Sequence, residues 1–203
     1  MAYTTINKPS ATAFNTKLYT GNGGTQSITG LDFQPDWVAI KDRGATNSFM
    51  TFDAVRGATK LLNWNTTNAE STQTPTLTSF NSDGFSIGNN TALNTNNNNL
   101  VAWNWKANGA GSANTDGSIS STVSANTTAG FSIVSWTGTG ANATVGHGLG
   151  STPKVVLIKS RDSSLEWRSY FSPIGAGKYM VLNENYAEAT GSNFMNNTAP
   201  TSS

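Results

Sequence analysis

Apolar and polar residues alternate with period two through most of this chain. In the first half the clearest runs are 17–20, 37–41, 49–53, 60–65, 84–87 and 100–106. In the second half they are 118–124, 131–136, 154–159, 167–171 and 178–183. Successive side chains of a strand point to opposite faces, so such runs predict half-buried β-strands. Clusters rich in Gly, Asn, Asp and Ser separate them, at 21–24, 42–47, 81–84, 89–99 and 138–142. In the first half Pro9, Pro35 and Pro75 all fall outside the runs, as strand pairing requires. A helical spacing of apolar residues persists nowhere beyond a turn. Many short strands at regular intervals predict an all-β sandwich or barrel.

The runs repeat. Gly30-Leu31 corresponds to Gly148-Leu149, Pro35 to Pro153, and VAIKDR at 38–43 to VLIKSR at 156–161. GATK at 57–60 corresponds to GAGK at 175–178, and Ala69-Glu70 to Ala187-Glu188. All these pairs are 118 residues apart, and segments 30–70 and 148–188 share 13 identities in 41 ungapped positions. Upstream the offset is 117: Phe14 pairs with Phe131, Thr5-Ile6 with Thr122-Val123, and Tyr19-Thr20-Gly21 with Trp136-Thr137-Gly138. Self-similarity at a fixed period is the mark of a duplicated structural unit. The expected organisation is a first β-sandwich repeat at 1–107, a Gly/Ser/Asn-rich linker at 108–117, and a second repeat at 118–203. A full second copy runs to about residue 235 on this spacing, so the second repeat is expected to be truncated at its C-terminal end. The missing counterparts are those of 84–88 and of the aromatic run 100–106. A natural polypeptide longer than 203 residues is the favoured explanation, with a shortened, diverged copy as the alternative.

Composition narrows the function classes. Only 11% of residues are charged, against about 25% in ordinary globular proteins. Six Trp, nine Phe and five Tyr supply a core that disordered chains lack. The net charge is +1 and no basic stripe exists, which disfavours nucleic acid. Without cysteine there are no disulfides and no thiolate metal sites. The start MAYTTINKPS does not read as a signal peptide. No segment approaches the roughly 18 apolar residues of a membrane span. A soluble protein made in the cytoplasm, with no membrane insertion, is expected.

Candidate chemistry is sparse. His147, the only histidine, sits in Gly-His-Gly and reads as a turn residue, since a catalytic or metal-binding imidazole needs partners. Asp53 and Arg56 suggest an ion pair, but their repeat counterparts are Phe171 and Ile174. Glycoside hydrolysis needs two convergent carboxylates. Nothing in the sequence pairs any two of Asp36, Asp42, Asp83, Glu70, Asp162, Glu166 and Glu188. No catalytic, cofactor or metal residue is therefore assigned, and the protein is expected not to be an enzyme. The recurring cations Lys41 and Lys159, and Arg43 and Arg161, are the candidate surface contacts. One reading is an edge charge or a hydrogen bond within the module; the other is a repeated contact to a neighbouring subunit or acidic ligand. Trp64 could stack on a sugar, but its alignment with Leu182 and alternation with Leu62 favour the core, and Trp167, aligned with Phe49, is expected in the core too. Trp103 and Trp105 share one strand face and are expected to fill the core of the first repeat. Gly21-Asn22-Gly23 and Gly138-Thr139-Gly140 read as tight turns, not phosphate loops. Asn65-Thr66-Thr67 and Asn126-Thr127-Thr128 match a glycosylation sequon only by Asn/Thr richness.

FNTKLYTGNGGTQSITGLDFQPDWVAIKDR, FDAVRGATK, LTSFNSDGFSIG and LVAWNWKANG, then DGSISSTVSANTTAGFSIVSWTGTG and VGHGLGSTPKVVLIKSRD, cover nearly the whole chain. They resemble a repeat module of virion proteins from marine tailed bacteriophages. The resemblance implies a concanavalin-like or jelly-roll sandwich, and in that family the second copy continues beyond TAPTSS. It implies a structural component of the virion, a tail fibre or fibre-like appendage involved in attachment to the host. It carries over no catalytic or binding residue. The partners it implies are other virion proteins, further copies of the chain (a trimer favoured), and a host surface glycan. A carbohydrate-binding lectin-like module and a capsid decoration protein are the alternatives.

Overall fold

The computed structural model describes residues 13–203. The expected partners Thr5-Ile6, and Pro9, lie outside the described residues. Among the described residues the fold is all-β, with antiparallel sheets and one short helix, α1 (Thr91–Asn94), besides a 3-10 turn at Ser172–Ile174.

The first repeat is a sandwich of two sheets. Its larger sheet has the order β1-β9-β3-β4-β5-β6, made of β1 (Phe14–Thr20), β9 (Asn99–Trp105), β3 (Trp37–Asp42), β4 (Met50–Asp53), β5 (Lys60–Asn63) and β6 (Ser71–Thr72). The smaller sheet has β8 (Gly84–Ile87) between β2 (Gln26–Thr29) and β7 (Leu77–Asn81). Alternate residues of both fill the space between them: Val38 and Ile40, Met50 and Phe52, Leu100 and Ala102 from one side, Ile28, Leu77, Phe85 and Ile87 from the other. Burying each phenylalanine contributes about 2–3 kcal/mol. Tyr19 joins this core edge-on to Phe85 and donates from its hydroxyl to the Leu93 carbonyl at 2.8 Å. Burial, followed by the nearby Asp42 charge, drives its pKa far upward, so it stays a neutral donor. Gly84 is required where β2 meets β8: its φ is +150°, and a Cβ there would lie 1.9 Å from the Ile28 carbonyl oxygen.

The second repeat reproduces the β3-to-β6 part of the larger sheet strand for strand. Its β13 (Val155–Ile158), β14 (Arg168–Phe171), β15 (Lys178–Val181) and β16 (Ala189–Thr190) begin 118 residues after β3, β4, β5 and β6. Their registers match too. Val156 faces Tyr170 as Val38 faces Phe52, and Tyr179 faces Ala189 as Leu61 faces Ser71. The Phe49 N–H donates to Asn65 Oδ1 at 3.0 Å, and the Trp167 N–H to Asn183 Oδ1 at 2.8 Å. The counterpart of β1 is β12 (Phe131–Trp136), which pairs with β11 (Ser121–Asn126). That strand pairs in turn with β10 (Ser112–Asn114), so part of the expected linker is a strand. Its glycines serve close approach as well as flexibility, since a Cβ on Gly111 would lie 2.7 Å from the Val123 carbonyl oxygen.

Two parts of the sandwich have no counterpart in the second repeat. Among the described residues nothing reproduces the β2-β8-β7 sheet, and nothing reproduces β9. Thr144, at the place of Gln26, exchanges hydrogen bonds of 2.9 Å with Ser118 instead of joining a sheet. Consequently Val38 and Ile40 are fully buried, whereas Val156 and Ile158 are half-buried. Among the described residues the exposed large apolar side chains are Leu18 in the first repeat and Trp136, Val155, Leu157, Leu165, Met180, Leu182 and Tyr186 in the second.

This asymmetry sets the expected response to truncation of side chains. Phe85→Ala should lower the unfolding free energy by about 3–5 kcal/mol in urea titrations, the usual cost of emptying a buried aromatic site. Leu157→Ala, at the place of Ala39, should cost less than about 1 kcal/mol. Equal losses would mean that the second repeat is packed as tightly as the first.

Candidate functional site

The outer face of the large first-repeat sheet is aromatic. Alternation puts Trp37 of β3 and Trp103 and Trp105 of β9 on the side opposite the core, beside Phe14 of β1. Phe14 and Trp105 lie 4.7 Å apart between ring centroids, Trp37 and Trp105 4.6 Å, and Trp37 and Trp64 5.2 Å. Phe49 extends the layer to Trp64 and Trp103. Trp103 and Trp105 thus do not fill the sandwich core; Leu100, Ala102 and Asn104 face it from β9. Trp64 belongs to the same layer rather than to the core cluster.

The second repeat covers this layer. Phe131, the counterpart of Phe14, lies 6.3 Å from Trp37 and 6.2 Å from Trp105. Trp167 is buried and donates its indole N–H to the Asn63 carbonyl at 2.9 Å. Asn126 and Ser124 bond to the backbone of Lys106 and Asn108, closing the join. The two repeats therefore stack through equivalent sheet faces.

A charge cluster seals one side of the stack. Arg56 donates from Nε to Asp53 and from Nη1 to the Lys60 carbonyl and to Glu70 Oε2, each of the last two at 3.0 Å. Glu70 also receives Arg161 of the second repeat, Nε at 3.0 Å and Nη2 at 2.9 Å. The Glu70 side chain is only 12% exposed. Burial pushes its carboxyl upward, but hydrogen bonds from Arg161 and Arg56, with their charges, hold it below its ordinary 4.5. Glu70 raises the Arg161 guanidinium in return. The sequence places Asp53 and Arg56 together, but not Glu70 with Arg161, 91 residues away.

The recurring cations divide by role. Lys41 donates to the carbonyls of Asp42 and Ala45, the latter at 2.6 Å. Lys159 makes the same clamp on Ser160 and Ser163, at 2.7 and 3.1 Å, and burial lowers its pKa. Arg161 ties the repeats together, while Arg43 is exposed beside Gly44, Asn97, Asn98 and Asn99, where an open polar depression of about 280 Å³ lies.

Outside the Glu70 cluster four more carboxylates are engaged one at a time. Asp36 accepts from Gln34 and from the Ala107 N–H, and Asp42 from the Gly44 N–H and Asn98. Asp83 accepts from the N–H groups of Gly30 and Asp32, which lower its pKa. Glu188 pairs with Lys178. His147 accepts the Leu149 N–H on Nδ1 at 3.1 Å, leaving Nε2 3.3 Å from the Thr201 carbonyl, the geometry of a turn. Among the described residues no three His, Cys, Asp or Glu side chains gather as metal ligands do. One apolar notch of about 240 Å³ opens between the repeats, lined by Phe49, Trp64, Asn65, Leu157 and Leu182.

The fold and these contacts define an internally duplicated all-β protein whose two repeats are held face to face. The chain belongs to the DUF7483 family, described as a domain of unknown function, whose family model matches residues 8–203. That match spans both repeats in one unit. No curated protein and no solved structure matches the chain.

The Glu70 cluster should show in the pH dependence of stability. A carboxyl held below its unfolded value near 4.5 contributes stability above that pH, which is lost as the pH falls through the folded value. Urea midpoints from about pH 7 down to about pH 3 should fall more steeply for the native protein than for Glu70→Gln. At neutral pH that variant should lose about 2 kcal/mol. Identical slopes would remove Glu70 from the interface's energetics.

Proposed function

We propose that this chain is a structural component of a bacteriophage virion, a tail fibre or fibre-like appendage involved in attachment to the host. The observation that carries the reading is the use made of its charged and aromatic groups. Lys41, Lys159, Arg56, Arg161 and Glu70 are spent on clamping loops and repeats, and the tryptophans on stacking one repeat against the other. Such an arrangement transmits load and displays surface. A surface of Asn, Thr and Ser with few charges to desolvate suits packing against further copies or other virion proteins. In this reading the particle is its location and a homo-oligomer, a trimer favoured, is its working state.

The resemblance to phage virion repeats joins this to a particle, and the particle supplies the test. Antibody against the purified chain should decorate the tail or another external appendage in negative-stain images of intact phage, and peptides of the chain should appear in the digested particle. Label on the capsid shell would make it a decoration protein instead; absence from purified particles would end the virion reading. Light scattering at micromolar concentration should report an oligomer.

A lectin-like reading has one observation of its own: the apolar notch lined by Trp64, Phe49 and Asn65 together with Leu157 and Leu182. A sugar face stacked on Trp64 would change tryptophan fluorescence on titration with host surface glycans, and Trp64→Ala would weaken binding at least about tenfold. No saturable change with any host glycan would exclude the notch as the receptor site.

A further inference from the structure

We propose that Asn108-Gly109 is a site of spontaneous covalent modification, where the asparagine side chain cyclises onto the next backbone nitrogen and opens to isoaspartate at the join between the repeats. The chain contains two Asn-Gly pairs, Asn22-Gly23 and Asn108-Gly109. A glycine leaves its own nitrogen unshielded and its backbone free to turn toward the preceding side chain, so sequence alone makes both pairs candidates. Both asparagines are exposed, so access to water does not separate them. Their hydrogen bonds do.

In Asn22-Gly23 every reacting group is held. Asn22 Oδ1 accepts the Gly24 N–H at 2.9 Å and Asn94 Nδ2 at 3.1 Å, and its Nδ2 donates to the Thr25 carbonyl at 3.1 Å. The nucleophile, the Gly23 nitrogen, donates to the Asn94 carbonyl at 2.9 Å. Asn94 is itself fully buried and tied to the Gly24 and Gly88 carbonyls. Closing the ring there requires several of these bonds to break together. Asn108-Gly109 carries none of them. Among the described residues neither the Asn108 side-chain amide nor the Gly109 N–H makes a hydrogen bond, and a Cβ on Gly109 would meet nothing within 4 Å. One anchor is present: the Asn108 N–H donates to the buried Ser124 Oγ at 2.8 Å. It fixes the residue at the join but leaves free the rotations that bring Cγ to the Gly109 nitrogen, the approach on which an intramolecular attack depends.

The reaction needs only water. The Gly109 nitrogen gives its proton to solvent base and bonds to Asn108 Cγ. The Cγ–Nδ2 bond breaks, and that nitrogen takes up a proton and leaves as ammonia. The cyclic imide then adds one water. Cleavage of its Cγ–N bond gives aspartate; cleavage at the main-chain carbonyl gives isoaspartate, with the chain running through Cγ. Either product ionises and takes the formal net charge from +1 to 0. Isoaspartate also adds a methylene to the main chain between β9 and β10. It does so where Ser124 holds the Asn108 N–H and Asn126 donates to the Lys106 carbonyl, the bonds that close the join.

The test uses the whole folded chain, incubated in heavy-oxygen water at mildly alkaline pH and then digested. Peptide sequencing by electron-transfer fragmentation separates isoaspartate from aspartate. Label should accumulate at residue 108 at least about tenfold faster than at residue 22. Isoaspartate should form alongside aspartate, since both come from the ring. The rate should rise with pH, because the attacking nitrogen must first lose its proton. In urea-unfolded protein the two sites should react within about threefold of each other, which assigns the difference to the fold rather than to the neighbouring residues. The proposal is overturned if the two sites convert equally fast in the folded protein, if Asn22 converts first, or if residue 108 keeps its amide while the unfolded chain reacts. It is also overturned if residue 108 yields aspartate alone, or if the full difference persists in urea.

Discussion

The structure depends on covering both faces of one sheet. In a sandwich one face normally meets the core and the other meets water, with polar residues there. The six-stranded sheet of this chain departs from that pattern at its centre. Val38, Ala39 and Ile40 are all fully buried, as are Leu100 and Ala102, with Val101 nearly so. One face is closed by the β2-β8-β7 sheet, the other by an aromatic layer that itself needs cover. Trp37, Trp64, Trp103 and Trp105 left in water would form a large exposed patch of the kind that marks an interaction surface. Here the partner is the second repeat of the same chain, docked through Phe131 and Trp167. Duplication thus supplied both the sticky surface and what satisfies it.

Stacking equivalent faces forces the copies to differ. Two identical layers of tryptophan would collide or leave voids, because close packing requires large side chains to meet small ones. On the second repeat's face Trp37 has become Val155, Trp64 has become Leu182 and Ala39 has become Leu157, and all three replacements stay exposed, so the layer is covered at Phe131 and Trp167 rather than along the whole face. Charge has been divided in the same way. Glu70 lies at the seam and collects two guanidiniums, Arg56 from its own repeat and Arg161 from the other. Its counterpart Glu188 lies on the outside with Lys178 alone, and the places of Asp53 and Arg56 are taken by Phe171 and Ile174. A buried carboxylate with one partner would be costly; with two and their hydrogen bonds it is compensated.

Much of this was legible in the sequence, for reasons that can be named. The offset of 118 fixed β13 to β16 onto β3 to β6 because turn lengths between those strands did not change, and register follows turn length. The clamps by Lys41 and Lys159 follow from the same constancy, the intramodule hydrogen bond being one of the two readings open for those lysines. What alternation could not say is which face is core. Trp103 and Trp105 alternate with Leu100, Ala102 and Asn104, and size alone suggested that the tryptophans point inward. The inward face instead holds Asn104, which is fully buried and donates to the Asn15 and Ala102 carbonyls. A period of two marks two faces and is silent when both are covered. Segment 108–117 misled differently: small residues that suggest a flexible linker are also those that let Gly111 lie against the backbone of β11. The Glu70–Arg161 pair was hidden because it joins nonequivalent positions of the repeat.

The second repeat is the dependent partner in this arrangement. A sheet is stable in water only when one of its faces is buried against another layer. The first repeat meets that condition within itself, through Phe52, Phe85, Leu77 and the rest of a continuous core. Among the described residues the second repeat has no facing sheet, and its buried large side chains are few: Val123, Leu149, Trp167, Tyr170 and Val181. Of these, Trp167 is bonded to the first repeat rather than to its own. Local contacts such as Arg168 over the Tyr179 ring at 4.8 Å, and Tyr179 against Phe194 at 5.7 Å, stiffen the β14–β15 edge without making a core. The contacts that join β12 to β16 to the first repeat are those of Phe131, Trp167 and Arg161. The seam of Phe131, Trp167 and Arg161 is where the first repeat lends the second the cover that its own described strands do not supply.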